Sequence, residues 1–350
     1  MNNPYKGLKD YQFWRRAVST VEFHALNPVV APKFKITRSE KVATAGSCFA
    51  QHISRRLQGI GFNYYIPDYD SSLSAEELRV RGYGMFSARY GNIYTVRQLL
   101  QLFDEAFGHR APTEQPWLRE DGRYVDPFRP NIEPNGFTIA SHVHYDREKH
   151  LGHVRDMFLN ADVFVFTLGL TEGWLNKAGD VFPLAPGVSG GDYSTDHYDF
   201  KNFSVNEVTD DLRAFLEKLK AANPKVKVIL TVSPVPLIAT FENRHVLVST
   251  TYSKSVLRVA AGMAEQEYDW VDYFPSYEII TGNFNGGQYY EQDLREVNKT
   301  GVSHAMRCFM SNYVDNQSQN PEQQDTPMDV KFRHMAEVVC DEESIAKVSM

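Results

Sequence analysis

Four short apolar runs, separated by stretches with helical patterning, constrain this chain more than any other feature. They are Val42-Ala43-Thr44-Ala45, Val163-Phe164-Val165-Phe166-Thr167, Val226 to Val232, and Trp270-Val271-Asp272-Tyr273-Phe274. The second is continuously apolar, as expected of a parallel strand covered on both faces. Between the runs, Cys48 to Gln58 carries Phe49, Ile53 and Leu57 at spacing four, with Gly59 as its stop. Thr95 reads as the N-cap of a helix through Phe107, and His150 to Leu159, Val208 to Ala222 and Tyr252 to Ala264 are also helical in pattern. Strands that alternate with helices predict an α/β fold, a doubly wound parallel sheet with helices on both faces.

The remaining segments are long loop insertions. Asn63 to Ile66 is a candidate second strand, Pro67 to Phe86 reads as irregular, Pro112 to Asn135 reads as a loop or hairpin, and Pro183 to Phe203 as a second long loop, of the kind that carries function. Asn298 is expected to cap a last helix from Lys299 to Met310. The expected organisation is an N-terminal extension (1–40), one catalytic-type domain (41–312), a disordered linker (313–328) poor in apolar residues, and a tail (329–350) that either docks as a short helix or stays mobile. With 42% apolar and 23% charged residues the 350-residue chain has the composition of a soluble globular protein. A net charge of −7 argues against a nucleic-acid surface. No window holds roughly 18 uncharged apolar residues, so no membrane span is expected. Three cysteines, Cys48, Cys308 and Cys340, fit a reducing compartment, and a cytoplasmic location is expected.

Chemistry concentrates at Gly46-Ser47-Cys48-Phe49-Ala50. The first strand delivers Ser47 to the start of a helix, where freed N–H groups and the helix dipole favour negative charge, as acyl transfer requires. The Gly-x-Ser-x-Gly elbow of α/β-hydrolases is absent. Ser47, Gly169 to Glu172 and Ser233 all follow predicted strands and are expected to converge at their carboxyl ends. Cys48 is a second nucleophile at the same turn, or else a small buried hydrophobe.

The Gly46 to Ala50 block, with Thr167-Leu168-Gly169-Leu170-Thr171-Glu172-Gly173-Trp174, Ser233-Pro234-Val235-Pro236 and Tyr252-Ser253-Lys254-Ser255, resembles the GSCFA family, a branch of the SGNH (GDSL-like) hydrolases. The resemblance runs from about Val42 to about Met310 and implies a flavodoxin-like, SGNH-type sheet with Ser47 as nucleophile. It places Thr171, in Gly169-Leu170-Thr171-Glu172, where related enzymes carry an oxyanion asparagine. Gly91-Asn92 falls in the region of another oxyanion block, and the Ser47 N–H is a third candidate donor. SGNH enzymes end on Asp-x-x-His, whereas this chain reads Asp293-Leu294-Arg295-Glu296. His304, just beyond on the last helix, is the preferred base, with Asp293 or Glu296 as its orienting partner and Glu296 itself as the alternative.

Two other constellations compete. His142-Val143-His144-Tyr145-Asp146 resembles the opening of a metallo-β-lactamase ligand motif, but Arg147 stands where a further histidine is required, so no metal is assigned. Trp117, Tyr124, Tyr193, His197 and Tyr198 are loop rings able to stack on sugars or to anchor packing. The leading expectation is a serine esterase or O-acyltransferase, acting on acyl groups, chiefly acetyl, carried by a carbohydrate or polysaccharide-related hydroxyl compound. No cofactor is needed beyond an acyl donor such as acetyl-CoA for a transferase, and the expected partner is a small-molecule or glycan substrate. The alternatives are a non-catalytic glycan- or protein-binding module on the same scaffold, and a metallohydrolase using His142 and His144.

Overall fold

The computed structural model of the chain describes residues 3–315 and 341–347. In chain order its strands are β1 (Val42–Gly46), β2 (Trp117–Leu118), β3 (Tyr124–Val125), β4 (Val163–Leu168), β5 (Glu172–Asn176), β6 (Val181–Phe182), β7 (Tyr198–Asn202), β8 (Lys227–Val232) and β9 (Val271–Tyr273). The helices are α1 (Ala50–Gly59), α2 (Ala75–Val80), α3 (Val96–Ala106), α4 (Ala140–Asn160), α5 (Val205–Ala222), α6 (Val246–Glu267), α7 (Ser276–Thr281), α8 (Lys299–Tyr313) and α9 (Glu343–Lys347).

The four expected apolar runs form one parallel sheet in the order β1-β4-β8-β9. The expected second strand contracts to a single parallel bridge between Tyr64 and Val42 on the outer side of β1. Pro67 follows three residues later and has no N–H to extend the ladder. With that bridge counted, the order is the 2-1-3-4-5 of a flavodoxin-like sheet.

Alternation along β4 shows why both faces are covered. Phe164 and Phe166 pack with Leu99, Phe103, Phe158, Phe215 and Leu257 from α3, α4, α5 and α6. Val163 and Val165 turn the other way, to Phe49 just before α1, Ile53 within it, Ile279 and Ile280 of α7 and Phe309 of α8. Each fully buried side chain of this size contributes about 1.5–3 kcal/mol, so the two cores fix the sheet between them.

Helix starts follow their caps. Thr95 and Gln98, and Ser204 and Glu207, form reciprocal capping boxes at α3 and α5, and Asn298 accepts from Gly301 N at α8. Several elements depart from the sequence expectation, among them β5, β6 and α7, which are not among the expected elements, and α6, which starts six residues before Tyr252. Helix α4 begins ten residues before His150, because its first turns are largely solvent-exposed and carry no apolar stripe. The stretch read as irregular contains α2, opened by a Ser74/Glu77 capping box. The loop read from Pro183 to Phe203 contains β7, which joins β5 and β6 in a separate antiparallel sheet of order β6-β5-β7.

Before β1, Ile36 bridges to Val314 just after α8, through Ile36 N to Tyr313 O (2.6 Å) and Asp315 N to Ile36 O (3.0 Å). Of the expected linker, residues 316–328 lie outside the described residues, as do 329–340 of the tail and with them Cys340. Cys48 and Cys308 are buried and not in disulfides. Among the described residues no helix is long and apolar enough to cross a membrane.

Candidate active site

Strand β1 ends on Gly46, whose φ of +131° lies in the region that favours glycine. A Cβ there would sit 2.3 Å from the Thr167 carbonyl oxygen, so only glycine lets β1 run this close to β4 as it turns into α1. Ser47 follows, 3% exposed, and its Oγ has no hydrogen-bond partner among the described residues. Gly169, at the end of β4, makes room beside it: a Cβ on that residue would meet Ser47 Cβ at 3.2 Å and Tyr94 O at 2.9 Å.

The small cavity at Ser47 is lined by Cys48, Tyr94, Gly169, Ser233, Lys254 and Glu342, among others. The carboxyl ends of β1, β4 and β8 meet there, as expected of this topology. Leu170, Leu237 and Glu342 are shared with a larger apolar cavity of about 560 Å³ that includes Trp174, Tyr193, Phe200 and Phe241.

Lys254 is the basic group of the small cavity. It is 2% exposed on α6, and its Nζ donates to Gly169 O at 2.6 Å. Burial lowers its pKa to about 8, against the opposing charges of Glu342 and Cys48 and with some help from Arg295. The neighbouring Ser253 Oγ accepts from Thr171 N at 3.0 Å, which ties α6 to the loop after β4.

The preferred base is elsewhere. His304 is buried on α8 within the second core, among Phe284 and Tyr289. Its Nε2 lies 2.6 Å from Leu26 O and must be the donor there, so Nδ1 accepts from Tyr289 OH, also at 2.6 Å. Both nitrogens are committed, burial lowers the ring's pKa, and the ring is absent from the lining of the Ser47 cavity. Among the described residues no imidazole lines that cavity.

Asp293 and Glu296 are also not brought to Ser47. Both are exposed, and Asp293 Oδ1 accepts from the Arg295 and Glu296 N–H groups, each at 3.0 Å, in a turn where Leu294 has a φ of 57°. The residue this turn contributes is Arg295, whose Nη2 donates to Glu342 Oε2 at 2.5 Å.

The candidate oxyanion donors divide. The Ser47 N–H donates to Thr167 O at 3.1 Å, and the Thr171 hydroxyl donates to Asn202 Oδ1 at 2.7 Å, so both have internal acceptors. Gly169 N–H goes to Tyr94 O, and Glu172 accepts from Thr240 Oγ1 at the edge of the apolar cavity, where burial raises its pKa. Asn92 does face a carboxyl group: its Nδ2 donates to Asp341 Oδ2 at 2.7 Å, and its backbone N–H bonds the same group, whose pKa burial raises. The next residue, Ile93, donates to Gly46 O at 2.9 Å, which holds Asn92 beside the Ser47 turn, with Gly91 adjoining at a φ of 69°.

The histidine cluster is not assembled as a metal centre. His142 and His144 are exposed on α4, and Asp146 pairs with Arg129 and Arg89. Among the described residues no three of His, Cys, Asp and Glu converge as metal ligands. Of the loop rings, Trp117 packs against Phe182 and Tyr198, while Tyr193 meets Trp174 at the apolar cavity.

Lys254, Arg295 and the Asp341-Glu342 pair were not assigned roles from sequence. Lys254 had a legible signal, since it lies three and seven residues before Leu257 and Ala261, on the buried stripe of α6. Arg295 and the acidic pair had none, because they meet only through the fold.

Residues 41–309 match the model of the GSCFA family. Among solved structures, the chain is similar to a carbohydrate esterase family 3 from Talaromyces cellulolyticus at 16% identity and a TM-score of 0.27, covering 61% of this chain and 87% of that one. It is likewise similar to a mutant acetyl esterase with acetate ion, at 15% identity and a TM-score of 0.26, covering 60% and 85%. A third similarity, to a protein of Streptococcus pneumonia assigned as a platelet activating factor, has 13% identity and a TM-score of 0.27, and covers 45% of this chain and 66% of that one. No curated protein matches the sequence.

Proposed function

The chain belongs to the GSCFA family, and on that premise we propose that it is an SGNH-like serine acyl ester hydrolase or O-acyltransferase, with an acyl-Ser47 intermediate. One observation carries this: the buried Ser47 hydroxyl, unpartnered among the described residues, shares a cavity with a lysine whose pKa burial brings to about 8. A serine is a weak nucleophile without a base, and a neutral lysine amine is a competent one near its own pKa.

In this scheme neutral Lys254, oriented by Gly169 O, takes the proton as Ser47 Oγ attacks the acyl carbonyl. The lysine returns that proton to the leaving alcohol, and the reverse sequence with water or a second hydroxyl empties the acyl-enzyme. Asn92 holds the oxyanion, since its two donors already converge on a carboxyl group. The aromatic cavity beside Ser47 suits an acyl or sugar moiety, and an O-acetyl group on a carbohydrate-related compound fits the small space at the serine itself. Hydrolase and transferase differ here only in which hydroxyl reaches the intermediate, with acetyl-CoA as the class of donor for the second.

Prolonged exposure to a fluorophosphonate probe, followed by peptide mapping, tests the proposal. Label on Ser47, lost in Ser47→Ala, is the expected result. A folded protein that takes no label, or takes it elsewhere, would refute the proposal and favour a binding module.

A further inference from the structure

The Ser47 cleft is occupied by a segment of this same chain. Asp341 accepts from Asn92 Nδ2 at 2.7 Å and from Asn131 Nδ2 at 2.9 Å. Glu342, 8% exposed, accepts from Arg295 and lines the Ser47 cavity, where its charge acts on Lys254. Ile345, one helical turn on, lines the apolar cavity with Trp174 and Phe241.

Hydrogen-bond donors to these two carboxyl groups come from the loop before α3, the loop after β3 and the turn before α8, and α6 adds the charge of Lys254. Four segments distant in sequence thus converge on two adjacent acidic residues. Buried charges persist only when paired and hydrogen-bonded, and removing one partner leaves the other uncompensated. Lys254, which lines the Ser47 cavity, and Arg295, which meets that cavity's Glu342, therefore define a seat for an acid. Asn92 defines a seat for a second negative oxygen, and the aromatic cavity a seat for an apolar or ring-shaped body. Asp341 and Glu342 occupy the first two, and Ile345 lines the third.

Resting on the Ser47 assignment, we propose that the cleft takes an ester bearing an acidic group near its scissile bond, and that Asp341 to Ile345 is an internal mimic of that ligand. A tethered occupant competes at high effective concentration. An entering ligand then binds with an apparent Kd raised by the small fraction of molecules whose seats are open. Removing the two carboxylates raises that fraction.

Three full-length proteins test this: the native chain, Asp341→Ala/Glu342→Ala, and that double variant with Arg295→Gln. The probe for binding is glutarate, measured by calorimetry, and the probes for turnover are mono-4-nitrophenyl glutarate and its neutral counterpart 4-nitrophenyl butyrate. Glutarate is expected to bind the double variant at least tenfold more tightly than the native chain, and Arg295→Gln is expected to erase the gain. The double variant is also expected to show a lower KM for the acidic ester than for the neutral one. Equal glutarate affinity in the native chain and the double variant would overturn the internal mimic. A gain that survives Arg295→Gln would overturn the acidic seat. Tighter glutarate binding without turnover or Ser47 labelling would support the seat and refute the hydrolase. Glu342→Gln, a milder change, is expected to give part of the same gain should the double variant melt early, and its failure to do so would count against the mimic.

Discussion

Replacing Ser47 by alanine is expected to stabilise the protein while removing its chemistry. Ser47 is 3% exposed, and its Oγ lacks a hydrogen-bond partner among the described residues. A buried polar group left unsatisfied costs about 1–3 kcal/mol. Alanine keeps the Cβ that packs against Gly169 and deletes only the oxygen, giving up a few contacts of about 0.1–0.2 kcal/mol each. The net expectation is a gain of about 1 kcal/mol, a rise in Tm of about 2 °C for a chain of this size. Urea and thermal unfolding of Ser47→Ala beside the native protein measure it, with fluorophosphonate labelling on the same samples. A loss of stability of about 1 kcal/mol or more would mean that the hydroxyl has a partner it needs, and the idea of a side chain kept bare for reaction would fail.

The other expectations concern the base, the displaced histidine and a buried charge cluster around Asp126. Labelling of Ser47 should rise with pH through a midpoint near 8, where Lys254 loses its proton. Lys254→Met should slow labelling by about 10²–10⁴-fold and flatten that profile, whereas an unchanged profile would exclude the lysine. His304→Phe should lower stability by about 1–3 kcal/mol, since Leu26 O and Tyr289 OH lose their partner, and should leave the labelling rate within about twofold. A tenfold fall in labelling with the fold intact would return the imidazole to the mechanism. Asp126, buried between Arg129 at 2.7 Å and Arg147 at 3.1 Å, has its carboxyl held well below the ordinary 3.8 by those cations against the effect of burial. Its stabilisation is therefore complete above pH 3.8 and is lost only as pH falls through the lower folded value. Asp126→Asn should cost about 3–5 kcal/mol at neutral pH in urea unfolding, and a cost under about 1 kcal/mol would show that the arginines do not need it.

What could be read from sequence follows from how local each signal is. Strands β4 and β8 announce themselves because a strand covered on both faces is apolar along its length. The starts of α3 and α8 were legible because a capping residue bonds three positions on. The first half of α4 and the whole of β7 were not. The exposed turns around His142 and His144 lack an apolar stripe, and β7 alternates only over Tyr198 and Phe200 inside a polar stretch. In the site, the Gly46-Ser47 turn is local and was visible. Whether a donor is spare depends on distant partners, as with Thr171 and Asn202, or Ser47 N–H and Thr167 O. The same holds for Arg295, which finds its acid 47 positions away in Glu342.

The bridge between Ile36 and Val314 brings the strand-and-helix unit's entry and exit side by side. A unit whose two ends leave side by side is portable. It can be spliced as a block into a loop of a host polypeptide without stretching either junction, or have its old ends joined and new ones opened at an exposed turn. Asp341 to Ile345 would not travel inside such a block, because that segment reaches Ser47 from beyond Val314. A transplanted unit would therefore arrive with its cleft vacant.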